Sequence, residues 1–221
     1  MRDMKRLSNG DSTIHILPVI RGLKSEIGVV IDAFAKVDPD AVAVSLSKEE
    51  IDGIRNLPED YEPELSRYDE IYIQGLRRYG EVAAPPPCYV AAIETADSEG
   101  LPVIPIDIDE ASYTELYCAS VSGTALFRNS TRTWYLSKRQ FAADTPEEYV
   151  LRVDRAFNNM GGFKLIEKER VSWMSAELLR ASKMTNRLLA IVEYERQQEV
   201  VGTIEKKLTE ARTDEDRNED D

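Results

Sequence analysis

The chain is short of the residues on which most metal and thiol chemistry depends. Its 221 residues include one histidine and two cysteines. A hydrolytic transition-metal site needs about three protein ligands, drawn mainly from His, Cys and carboxylate. His15 stands alone inside an apolar stretch, where a packed or capping role is the ordinary one, so a zinc-type hydrolase is disfavoured. Cys88 and Cys118 lie far apart with no secreted context, which reads as two free, buried thiols in a reducing cytoplasm. Positive charge is scarce as well: 28 Lys and Arg stand against 41 Asp and Glu, a net charge of −13. No basic stripe is present to follow a phosphate backbone, so nucleic acid is excluded as a partner. No segment approaches the ~20 apolar residues of a membrane span, and residues 1–10 lack the apolar stretch of a signal peptide. The glycine-rich phosphate motifs, the nucleophile elbow and a Cys/His pair suited to thiol catalysis are all missing. Residues 120–124 (SVSGT) are small and polar, but without a base they read as a turn.

What is present is the composition of one globular domain, 42% hydrophobic and 31% charged. Residues 13–17 (TIHIL) form a β-prone run closed by Pro18. A helix is predicted over 25–37, because Ile27, Val30, Ile31 and Phe34 share one face. Asp38-Pro39 stops it, and 41–46 (AVAVSL) reads as a buried strand. Strand, helix and strand in this order make a βαβ unit. The fold class is therefore α/β, a mostly parallel sheet flanked by helices in a single domain. Ser47 with Glu50 opens a further helix as a capping box. Helices are also predicted over 64–79, 89–99, from 146 to a stop at Gly161-Gly162, over 168–182, and from the end of strand 188–192 to Leu208. Strand 101–108 (LPVIPIDI) has prolines that imply irregular ends. Residues 121–141 fit a broken helix or a small hairpin equally well. The boundaries drawn are a flexible segment 1–11, a domain 12–208, and an acidic tail 209–221. That tail holds seven acids against Arg212 and Arg217 and is expected to be solvated coil.

Three segments carry a resemblance. IHILPVIRGLKSEIGVVIDAFAKVDPDAVAVSLSKEE (14–50), GLPVIPIDIDEA (100–111) and KERVSWMSAELL followed by RLLAIVEY (168–194) resemble, in order, segments of the TraB/PrgY family within the TIKI and erythromycin-esterase-like group. The resemblance implies a TraB-like α/β domain across 12–208. It also marks departures at the family's functional positions. Arg21 stands where that family has a histidine, Ser45 where it has a glutamate, and Glu193-Tyr194-Glu195-Arg196 where it has a G-x-G-H turn. Asp107, Asp109, Glu169 and Arg170 match family positions, while Ile108 and Val171 do not.

Ligands of open parallel sheets gather at the carboxyl ends of the strands, which directs attention to the same positions. If Arg21, Arg170 and Arg196 converge there, they would clamp a carboxylate or phosphate, helped by the first N–H groups of the helix after Leu23. The plain counterpart is that each arginine pairs with a local acid such as Glu169 or Glu195. Asp107 and Asp109 share a strand face and, with Glu110, offer a magnesium site for a hydrolase. The plain counterpart there is an acidic turn capping the next helix. The tyrosines 68, 72, 79, 89, 113 and 117 fall on predicted helices and read as core, unless an aromatic face is left exposed for a partner. The preferred expectation is a pseudoenzyme without a cofactor, acting by binding a protein partner, a second copy of itself, or a small anion.

Overall fold

The computed structural model describes residues 2–58, 61–139, 141–159 and 161–219. Strands β1 (Lys5–Asn9), β2 (Ser12–Val19), β3 (Ala41–Val44), β4 (Val103–Pro105) and β5 (Arg187–Glu193) form one sheet of order β1-β2-β5-β3-β4. All pairings are parallel except β1 with β2, an antiparallel hairpin. The α/β class with a mostly parallel sheet is thus as expected. The segment expected to be a flexible leader holds a strand: Lys5–Asn9 supplies the sheet edge, with Lys5, Arg6 and Ser8 exposed to solvent. Charged side chains of this kind protect a sheet edge from further pairing.

The central strand β5 shows why the sheet needs helices on both faces. Leu189 and Ile191 point one way, into a core with Val30, Phe34 and Val37 of α1 (Glu26–Val37) and Tyr89, Ala92 and Ile93 of α4 (Pro87–Ser98). Leu188, Ala190 and Val192 point the other way, onto Val171, Met174 and Leu178 of α8 (Gly161–Ser182) and Val200 and Ile204 of α9 (Tyr194–Glu219). Period-two alternation with both faces apolar is the mark of a doubly covered parallel strand. β4 is only three residues long, because Pro102 and Pro105 limit the ladder at both ends.

A third core lies beyond the carboxyl ends of the strands. There α3 (Arg67–Leu76), α6 (Gly123–Ser137) and α7 (Pro146–Asn158) pack Tyr72, Leu76, Leu136, Tyr149 and Val153 against Ile20 and Leu23. Tyr149 donates to the carbonyl of Ile71 at 2.8 Å, and a Cβ on Gly75 would lie 1.9 Å from that hydroxyl. Glycine is what lets α3 and α7 approach so closely. The undecided stretch 121–141 is mostly helical, since Ser122 caps α6 by accepting from Ala125 N at 3.3 Å.

Three further expectations change. Gly161-Gly162 does not end α7 but begins α8, and a Cβ on Gly162 would sit 2.1 Å from the Ser120 carbonyl oxygen. The glycine pair serves close packing against the end of α5 (Glu110–Ser120). Cys88 is buried, but Cys118 is exposed. The tail is not coil over 209–219: α9 continues through Glu219, because adding a turn to a helix already anchored by Val200 and Ile204 carries no nucleation penalty. Asp220 and Asp221 lie outside the described residues.

Candidate functional site

Five elements deliver charge to the carboxyl end of the sheet. β2 runs out through Val19 and Ile20 to Arg21, and β5 ends on Glu193 and passes directly into α9, so Glu195 and Arg196 occupy that helix's first turn. α8 presents Glu167 and Arg170 three residues apart on one face, and α7 presents Asp154 and Asn158 four apart. Together with Tyr68, Asp69 and Tyr113, all of these groups except Asp154 line a cavity of about 220 Å³, and Asp154 lies in the wall of the cleft beside it. That cleft, of about 700 Å³, shares Asn158, Glu167, Glu195 and Arg196 with the cavity. The shared wall supplies an approach from solvent.

Arg21, Arg170 and Arg196 therefore do line one cavity, but not as a vacant clamp. Arg170 Nε donates to both carboxylate oxygens of Asp107, at 3.1 and 3.2 Å, and Nη2 also contacts that carboxylate. Nη1 reaches Glu167 at 3.2 Å, and Glu193 stands 3.7 Å from Nη2. Arg196 donates to Asp154 at 2.6 Å and is 2.5 Å from Glu167. Glu167 thus bridges two guanidiniums, occupying the position that a bound anion would take between them. The local partners are Asp107, Glu167 and Asp154 rather than Glu169 or Glu195. Glu169 is exposed on the outer side of α8, and that family-matching position contributes nothing to the cavity.

Arg21 is different. Its Cζ sits 5.1 Å from the centroid of the Tyr72 ring, a cation–π contact, and its Nε has no hydrogen-bond partner. Six buried side-chain polar atoms are unpartnered among the described residues, and five of them belong to this cluster: Arg21 Nε, Tyr72 OH, Glu193 Oε2, Glu195 Oε2 and Arg196 Nε. Glu193 and Glu195 are 5% and 9% exposed. Buried polar atoms are rarely left unmatched, and each costs about 1–3 kcal/mol.

The two glutamates titrate in opposite directions. Burial raises the Glu195 carboxyl above the usual range despite Arg21 nearby. Burial also works against the Glu193 charge, but Arg170 and Arg21 outweigh it and hold that carboxyl low. Burial likewise opposes the Arg170 charge, and Asp107, Glu167 and Glu193 more than offset it. Ser45, at the next strand end, lies beneath the cavity rather than in it. Its hydroxyl is 2.7 Å from Tyr89 OH and donates to the Ile191 carbonyl at 3.2 Å.

The aspartates proposed for magnesium are given separate structural tasks. Asp107 is committed to Arg170, whereas Asp109 caps α5, accepting from Ser112 N at 2.9 Å and Ser112 Oγ at 2.8 Å. Glu110 is exposed. Among the described residues no three His, Cys, Asp or Glu side chains are close enough to hold a metal. The helix N-terminus expected to assist an anion is also taken: Glu26 N and Ile27 N, in the first turn of α1, donate to the carbonyls of Leu23 and Lys24 at 3.2 Å each, and the Glu26 side chain accepts from Ile20 N at 3.2 Å and is bound by Arg2. His15 lies within the sheet opposite Arg6, away from the strand ends.

Asp154 and Glu167 were not singled out from the sequence. Only the Glu167/Arg170 spacing on α8 hints at a pair, and it is a common surface pattern. Among the described residues no helix is long and apolar enough to cross a membrane. No family model matches the chain, and no curated protein matches it.

Proposed function

We propose that this domain acts by binding rather than by catalysis, and that it takes a small molecule with an anionic group at the carboxyl ends of β2 and β5. The carrying observation is the concentration of unpartnered buried polar atoms around Arg21, Glu193 and Glu195. Unmet hydrogen-bonding capacity in a cavity with an adjoining cleft is what a ligand would satisfy. Arg21 is the anchor, since Arg170 and Arg196 already hold carboxylates. The hydrolase alternative at Asp107 and Asp109 has less to recommend it, because both side chains are occupied by protein partners. The likeness to the TraB/PrgY family rests on the three segments quoted above and is part of this proposal. So is a reducing, cytoplasmic setting, which rests on two unpaired cysteines.

Calorimetric titration with acetate, succinate and inorganic phosphate tests the reading. Binding that Arg21→Ala removes supports it. Absence of binding by any small carboxylate-bearing or phosphate-bearing compound defeats it.

A second reading, a protein contact, is favoured by α6. Phe127, Trp134 and Tyr135 are 77%, 58% and 64% exposed on this helix. Residues 116–143 contain no acid and four cations, in a chain of net charge −13. Exposed aromatics flanked by Arg and Lys fit an acidic protein surface. Sedimentation of the purified protein across concentrations, with Phe127→Glu as the comparison, shows whether that surface belongs to a second copy.

A further inference from the structure

We infer that the ligand of the strand-end cavity is a small zwitterion of the α-amino-acid type, with its carboxylate on Arg21 and its ammonium between Glu193 and Glu195. This inference rests on the ligand-binding reading above and narrows it.

The unpartnered atoms are of both signs. Arg21 Nε and Arg196 Nε are donors without acceptors, Glu193 Oε2 and Glu195 Oε2 are acceptors without donors, and the Tyr72 hydroxyl beside Glu195 can act either way. A simple anion would satisfy only the first pair and would lie against two buried glutamates. A simple cation would satisfy only the second pair and would lie against Arg21. The charge balance argues further against an anion. Three arginines share the cavity wall with Asp69, Glu167, Glu193 and Glu195, and Asp107 and Asp154 stand immediately behind Arg170 and Arg196. A group that brings a positive charge along with its negative one leaves this excess of carboxylate unchanged instead of adding to it, and it meets the unpartnered atoms of both signs.

Shape agrees with chemistry. The cavity volume of about 220 Å³ is several times the ~30 Å³ share of one water, so it admits a compact ligand of a few heavy atoms. Tyr68 and Tyr113 form part of its lining, which gives a short apolar side chain something to pack on. Glu193 and Glu195 sit on either side of the strand-to-helix junction at Tyr194, so one local backbone turn fixes both.

The test is a calorimetric panel of the twenty common amino acids on the full chain. For each that binds, its deaminated carboxylic acid and its decarboxylated amine follow. The expected result is an amino acid whose acid and amine both bind at least tenfold more weakly. Glu195→Gln should bring the amino acid toward its acid, and Arg21→Gln should bring it toward its amine. Equal binding of the acid, equal binding of the amine, or binding of phosphate and simple carboxylates but no amino acid overturns the zwitterion while leaving the ligand-binding reading intact. No binding by any compound overturns both. The unmodified protein alone decides among these outcomes, so a variant that fails to fold does not leave the question open.

Discussion

Two buried charge clusters sit near the same end of the sheet, and they are built to different standards. In the first, Arg2 donates through Nε to Glu147 at 2.7 Å, through Nη1 to Glu26 at 2.6 Å and to the Pro18 carbonyl at 3.2 Å. Glu26 accepts in addition from Ile20 N at 3.2 Å. No side-chain atom of Arg2 or Glu26 is left buried and unpartnered. In the second, Arg21, Glu193, Glu195 and Arg196 each keep one buried atom without a partner. The first cluster ties the N-terminal segment to the strand ends and is complete in itself. The second is electrostatically crowded and incomplete. Structural ion clusters gain by saturating every donor and acceptor, so the unsaturated one is the better candidate for a site.

The largest effect should come from breaking the saturated cluster. Glu26→Ala leaves Arg2 half-paired and the Ile20 amide unmatched. We expect a loss of about 3 kcal/mol in urea denaturation, with ligand binding at Arg21 retained in the folded fraction.

Next is Glu167→Ala, which removes the carboxylate between Arg170 and Arg196. Stability should fall by about 2 kcal/mol. Thermal melts should then show stronger stabilisation by phosphate than the unmodified protein gives at the same concentration, because the arginine pair is freed to act as a clamp.

A smaller effect, of opposite sign, is expected from Glu195→Gln. Burial raises the Glu195 carboxyl in the folded protein. Its ionisation therefore costs stability above that raised value, and the cost disappears as pH falls below the ordinary carboxyl range. Glutamine should stabilise by about 1 kcal/mol at neutral pH, and melts taken toward pH 4 should bring the two proteins together. Glu193 behaves inversely. Its carboxyl is held low, so its contribution is present at neutral pH and is lost as pH falls through the folded value. An advantage of Glu195→Gln that grows in acid would overturn this account.

The smallest effect belongs to an exposed pair outside both clusters. Arg55 and Asp97 are 2.9 and 2.5 Å apart at their two contacts, with side chains 38% and 42% exposed. Asp97→Asn should cost about 0.5 kcal/mol or less and fade with added salt. A cost comparable to that of Glu26→Ala would remove the distinction between buried and solvated pairs.

Much of the fold was legible because it depends on local pattern. The βαβ unit follows from apolar spacing and the Asp38-Pro39 break. The helix starts at Ser47 and Thr145 follow from side chains that accept the backbone N–H three residues on, 3.2 Å away in each case. The misreadings came where glycine or charge has two meanings. Gly161-Gly162 looks like a helix stop, yet Gly162 is placed where α8 meets the Ser120 carbonyl. The segment 1–11 is too polar to announce a strand, yet an edge strand needs only one covered face.

The candidate site divides the same way. By themselves the residues determined an α/β domain, the rule that ligands meet strand ends pointed to Arg21 and Arg196, and Arg170 was added by the family resemblance, with their convergence left as a condition. Only the tertiary structure decided what those arginines do. Asp107 reaches Arg170 across 63 residues, and Asp154 reaches Arg196 across 42. Such pairings depend on how α7, α8 and β5 dock, which periodicity does not encode. Sequence shows which charges a chain owns, whereas packing decides which of them are already spent on one another.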